Sequence, residues 1–167
     1  MRIVSVFLTV LAMNLALVAP AAAGSFSLEN FFTGRSSAEG SFRSITGVKR
    51  TFEVQLLGKW DGRTLTLIED FRFDDGSRDR KTWRFIKDGP GRYRGTREDV
   101  IGETQVRIKD NVARFSYLVF LDSKNRKNKV RFHDTMTLNN DGRVLNTAYV
   151  TKFGLPVAWT RVKFRRQ

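Results

Sequence analysis

Apolar and polar residues alternate along most of this chain with a period of two. The pattern is clearest between Asp61-Gly62 and Asp75-Gly76. There Leu65, Leu67, Glu69, Phe71 and Phe73 point to one side of an extended strand, and Thr64, Thr66, Ile68, Asp70 and Arg72 to the other. Asp-Gly on both flanks is a hairpin signal, read here as a two-residue turn needing positive φ at both central positions. Glu69 is the exception on its face, a carboxylate among leucines and phenylalanines. A strand bounded by hairpins, with a charge on its apolar side, predicts an antiparallel meander with something polar inside.

The same period recurs downstream and upstream. Residues 38–45 and 50–58 bracket Thr46-Gly47, and Phe52, Val54 and Leu56 alternate with Thr51, Glu53 and Gln55. Residues 78–87 place Trp83 and Phe85 on one face, whereas 92–96 and 103–110 are shorter and more polar. Residues 112–121 align Ala113, Phe115, Tyr117, Val119 and Leu121, and strands are expected again over 129–138, 143–151 and 157–164. Turn residues punctuate them, as at Asp88-Gly89-Pro90-Gly91, Asp110-Asn111 and Asn140-Asp141-Gly142. Only residues 25–34 show helical spacing: Leu28, Phe31 and Phe32 fall on one face, Ser27 can cap the start and Gly34 the end. Two turns cannot stand alone, so this aromatic face must dock, and it is read as a plug. Short strands joined by short hairpins predict an all-β fold: an up-and-down antiparallel β-barrel of about eight to ten strands, one end closed by the helix.

Composition narrows the setting. Arg2, the apolar run 3–18 and Ala21-Ala22-Ala23 read as a secretory signal peptide cleaved after residue 23, leaving residues 24–167 as one barrel domain. The chain has no cysteine, so neither disulfides nor a lipid-bearing cysteine is available, and a free periplasmic or secreted monomer is expected. The formal net charge is +13. For an exported chain this favours an anionic membrane surface or acidic polymer as partner and speaks against nucleic acid. A transmembrane barrel is disfavoured, because Arg72, Arg84, Arg131 and Arg143 interrupt the face that would meet lipid.

Candidate chemistry follows from the faces. Asp134 shares a face with Val130, Phe132, Met136 and Leu138; Asn146 shares one with Val144, Ala148 and Val150, reaching Lys152. Glu69, Asp134, Asn146 and Lys152 would then lie inside an apolar barrel, where charges must be paired or put to use. Two readings stand: a structural network, such as Lys152 with Asp134, or a polar anchor in a pocket walled by Phe71, Phe73, Trp83, Phe132 and Met136. Lys124, Arg126, Lys127, Lys129 and Arg131 form a basic cluster that suits an anionic surface, and Arg161, Lys163, Arg165 and Arg166 add to it. Catalysis has little support. His133 is the single histidine, no nucleophile elbow or metal-ligand spacing is present, and no cofactor is implied. Glu69 with Asp134 as a general acid and base is the one enzymatic alternative.

Phe26-x-Leu28-x-x-Phe31-Phe32-x-Gly34 followed by Ala38-x-Gly40-x-Phe42 resembles the opening of a bacterial envelope family, domain-of-unknown-function family thirty-eight thirty-three. The resemblance continues through Asp61-Gly62, Leu65-Thr66-Leu67-x-Glu69, Asp75-Gly76, Trp83, Tyr93-x-Gly95 and Asp99-Val100-x-Gly102. It ends with Asp134-x-Met136, Asn146 and Lys152-Phe153-Gly154. It implies a lipocalin-like barrel and makes a lipid ligand more credible, though many such proteins look like lipoproteins and this chain lacks the cysteine. The expected function is exported binding or carriage of an apolar or amphipathic small molecule, such as a fatty acid or lipid. The rivals are a filled barrel working through its basic surface and a cofactor-free isomerase or cyclase.

Overall fold

The computed structural model describes residues 25–121 and 128–167. One helical turn, α1 (Leu28–Phe32), precedes ten strands: β1 (Gly34–Ser44), β2 (Lys49–Trp60), β3 (Thr64–Phe73), β4 (Arg78–Gly89), β5 (Arg92–Thr96), β6 (Thr104–Lys109), β7 (Val112–Phe120), β8 (Lys129–Leu138), β9 (Val144–Lys152) and β10 (Leu155–Arg166). Each strand pairs antiparallel with its sequence neighbours, and β1 pairs with β10, so the meander closes into a barrel. Closure removes the unpaired edges that an open sheet would present.

The alternation read from the sequence becomes the two faces of the wall. Leu65, Leu67 and Glu69 on β3 are buried, and so are Val130, Asp134 and Met136 on β8. The Asp-Gly turns differ from the two-residue geometry. Gly62 and Gly76 have positive φ (96° and 82°), but Asp61 and Asp75 do not. The connections are longer, and each aspartate caps its own turn: Asp61 Oδ1 accepts from the Arg63 and Thr64 N–H groups at 2.9 and 2.7 Å, and Asp75 Oδ1 from Ser77 N–H at 2.9 Å. The side chain, rather than a mirror-image backbone turn, fixes these corners.

Helix α1 closes one end. Ser27 Oγ accepts from Asn30 N–H, and Leu28, Phe31 and Phe32 are buried, with Phe32 edge-on to Phe164 at 5.5 Å between centroids. A Cβ on Gly58 would lie 1.8 Å from the Phe32 carbonyl oxygen, so the helix rests on bare β2 backbone. Glu29 anchors it, accepting from Lys87 Nζ and Tyr93 Oη at 2.5 Å each. Those two contacts hold the Glu29 carboxyl below its ordinary range in spite of burial. Because strands alternate in direction, the opposite end carries the β1–β2, β3–β4, β5–β6, β7–β8 and β9–β10 connections. That end is the mouth. The signal peptide expected over residues 1–23 lies outside the described residues.

Candidate functional site

Above the plug the barrel holds a cavity of about 390 Å³. Its floor is Leu28 and Phe32, and its wall is largely aromatic. Trp83 stacks on Phe85, meets Tyr117 edge-on at 5.1 Å, and Tyr117 stacks between Phe115 and Phe132. Phe52, Phe71 and Phe73 form a second aromatic group nearer the mouth. Phe52 lies across Gly40, where a Cβ would come within 2.2 Å of the ring.

Three polar side chains are buried in this apolar surround: Glu69 at 8 %, Asp134 at 6 % and Asn146 at 8 % exposure. Asn146 Nδ2 donates to Asp134 Oδ1 at 2.5 Å, and among the described residues Asp134 Oδ2 and Asn146 Oδ1 have no hydrogen-bond partner. Burial pushes the Glu69 carboxyl up to about 7; Arg97 pulls it back, while Glu98, Asp134 and Asp99 add to the rise. Burial also pushes Asp134 up to about 6, against the Asn146 hydrogen bond, Arg97 and Tyr117. The Tyr117 hydroxyl, buried beside these carboxylates, is held protonated well above its ordinary range.

Arg97 supplies the interior cation, and it comes from an irregular segment. Strands β5 and β6 are short, and residues 97–103 fold back along the space above them, between β4 and β7. Glu98 accepts from Thr82 N–H on β4, and Val100 bridges to Val119 on β7. This patch in the wall turns Arg97 inward. Its guanidinium makes a two-pronged contact with Asp99 (2.6 and 3.2 Å) and lies over the rings of Trp83 and Tyr117, at 4.8 and 5.3 Å from the centroids. Lys81 joins Asp79 and Asp99 at 3.1 and 3.2 Å. Burial opposes ionisation of Asp99, but Arg97 and Lys81 together hold its carboxyl low.

With this geometry established, comparison with known proteins supplies the family. A family model described as protein of unknown function (DUF3833) matches residues 9–166. The chain belongs to that family. No match is found among curated proteins. Two solved structures share the DUF3833 chain's fold. The S-type phycobiliprotein lyase CPES from Guillardia theta aligns with a TM-score of 0.59 at 12 % identity, covering 85 % of this chain and 93 % of its own. Rv2717c from M. tuberculosis aligns with a TM-score of 0.59 at 13 % identity, covering 81 % and 92 %. At such identities the likeness is one of fold, a lipocalin-like barrel.

Within this DUF3833 barrel, the residues singled out from the sequence fall in three places. Glu69, Asp134 and Asn146 line the cavity, as do Phe71, Phe73, Trp83, Phe132 and Met136. Lys152 does not: it lies at the mouth end of β9, where Nζ donates to Asn128 Oδ1 at 2.9 Å, so the anticipated pairing with Asp134 is not formed. Lys129 and Arg131 are exposed on the outside of β8, and Lys124, Arg126 and Lys127 lie outside the described residues. His133 is also on the outer wall, stacked on Tyr149. Sequence reasoning missed Arg97 and Tyr117 as members of the site. The available signal was indirect: two carboxylates on inward faces call for a cation, and the break in alternation after Thr96 was where to look.

Proposed function

We propose that this protein is an exported binding protein or carrier that takes an apolar or amphipathic small molecule into the barrel through the mouth. The observation that carries the reading is the cavity itself. It is closed below by α1, walled by aromatic rings, and furnished at mid-barrel with buried polar atoms that have no partner among the described residues. A barrel serving only as a rigid outer surface has no need of such groups, each of which costs folding free energy when left unpaired. The fold it shares with a phycobiliprotein lyase supports the same reading by analogy.

The mouth suits delivery at an anionic membrane. Ile45, Val48, Phe153 and Leu155 are exposed at the β1–β2 and β9–β10 turns, Phe153 at 93 % and with a left-handed backbone (φ 51°). Lys49 opens β2 beside the first of these turns, and Lys129 and Arg131 lie at the mouth end of β8. The test is native mass spectrometry of the protein isolated without detergent from the exported fraction, followed by solvent extraction. A bound mass released on denaturation is the expected result. An apo mass that stays unchanged after exposure to alkyl amines, alcohols, fatty acids and phospholipids overturns the proposal.

A further inference from the structure

The balance of paired and unpaired charges along the cavity wall specifies what the occupant must bring. Among the described residues three cations line the wall, and each already has carboxylate partners. Arg50 contacts Asp74 and Asp75, Lys81 contacts Asp79 and Asp99, and Arg97 contacts Asp99. The carboxylates are not matched in the same way. Asp79 has Lys81, but among the described residues neither Glu69 nor Asp134 has an ion pair, and Glu69 has no side-chain hydrogen bond. The buried cavity atoms left without partners, Asp134 Oδ2 and Asn146 Oδ1, are both acceptors. The donor beside them, the Tyr117 hydroxyl, has a single proton and can serve only one acceptor at a time. Around them stand the rings of Trp83, Tyr117 and Phe132, which make the surround apolar, the first two already carrying Arg97 over their faces.

We propose that the cavity takes an apolar organic cation, an alkyl or aromatic amine, with its ammonium held by the Asp134 carboxylate and the Asn146 carbonyl oxygen beside the second negative charge of Glu69. This rests on the carrier reading and narrows it, since a free fatty acid would set a third carboxylate against two that have no ion-pair partner among the described residues. An ammonium has three donors and no acceptor, which matches a site of orphaned acceptors. Its charge would add to the relief that Arg97, paired with Asp99, gives these two carboxylates. The amine's hydrocarbon would fill the aromatic space toward the mouth, where Phe52, Phe71 and Phe73 are exposed to the cavity.

The experiment uses the full chain purified without detergent, with Nile red as a neutral apolar reporter of the cavity. Decylamine, decanol and decanoic acid, each below its aggregation threshold and near pH 7.5, compete for it. The amine is expected to displace the dye at least tenfold more effectively than the acid, with the alcohol between them. That preference should shrink at least threefold in both Asp134→Asn and Glu69→Gln. If Asp134→Asn does not fold, Glu69→Gln alone decides. Equal or tighter competition by decanoic acid, or a preference unchanged by the substitutions, overturns the amine assignment and leaves the carrier reading standing. Failure of Nile red and of all three chains to bind overturns the carrier reading, and the amine assignment with it.

Discussion

Replacing Glu69 by Gln should make the protein more stable at alkaline pH and no more stable at acid pH. In the folded barrel its carboxyl is pushed from an ordinary 4.5 to about 7, with burial the largest cause. Below pH 4.5 the group is protonated in both folded and unfolded chains and costs nothing. As pH rises from there, the unfolded chain ionises first while the fold still holds its proton, so stability falls. Above about 7 both states are ionised, and the fold carries the full cost of a buried charge, about 3 kcal/mol. The amide would keep the shape and lose the titration, at the expense of whatever attraction Arg97 gives the carboxylate. The expected observation comes from urea unfolding followed by tryptophan fluorescence from pH 4.5 to about 8.5. The stability of the natural protein minus that of Glu69→Gln should fall by about 3 kcal/mol across that range, chiefly between the two pKa values. A difference that is flat or climbs with pH would refute the reasoning, because the carboxylate would then be solvated or firmly paired with Arg97.

Three further outcomes can be checked with the same methods. Arg97→Ala should cost about 3 kcal/mol in urea unfolding, because it strips Asp99 of its two-pronged partner in a largely buried setting; Arg97→Lys should recover only part, lacking the planar fork. Gly40→Ala should push the Phe52 ring into the cavity and weaken Nile red binding severalfold while moving the unfolding midpoint little. Glu29→Gln should loosen the plug, costing about 1 kcal/mol and speeding amide exchange at residues 28–33, since Lys87 and Tyr93 both depend on that carboxylate.

The wall of this barrel was legible because its strands are half-buried, and half-burial writes itself as alternation. Glu69 and Asp134 could be found for the same reason, as charges in register with leucine and phenylalanine. Asn146 followed from its neighbours Val144 and Ala148. Arg97 could not be found that way, because residues 97–103 have no period; their inward and outward sides are set by contacts to Thr82 and Val119, distant in sequence. Whether the interior is hollow was equally hidden. Alternation looks the same whether Phe52 fills the barrel or lies flat against Gly40, and only the absence of a side chain at Gly40 permits the second. Lys152 shows the converse: correct parity along β9, but a position so near the mouth that its amine reaches Asn128 rather than the interior.

The seam between β1 and β10 also governs how this fold comes into being. Every other strand pair is a neighbour in sequence and can form locally, whereas the seam joins residues as far apart as Ser36 and Arg166. Its loop-closure entropy must be met last, when the rest of the meander has already brought the two ends together. Until β10 is added, β1 and β9 are both raw edges, and β9 carries Val144, Ala148 and Val150 on one side. A chain interrupted before residue 155 is thus a curled sheet with two adhesive margins, ready to pair with another copy. The final strand is what turns an aggregation-prone ribbon into a ring with nothing left to join.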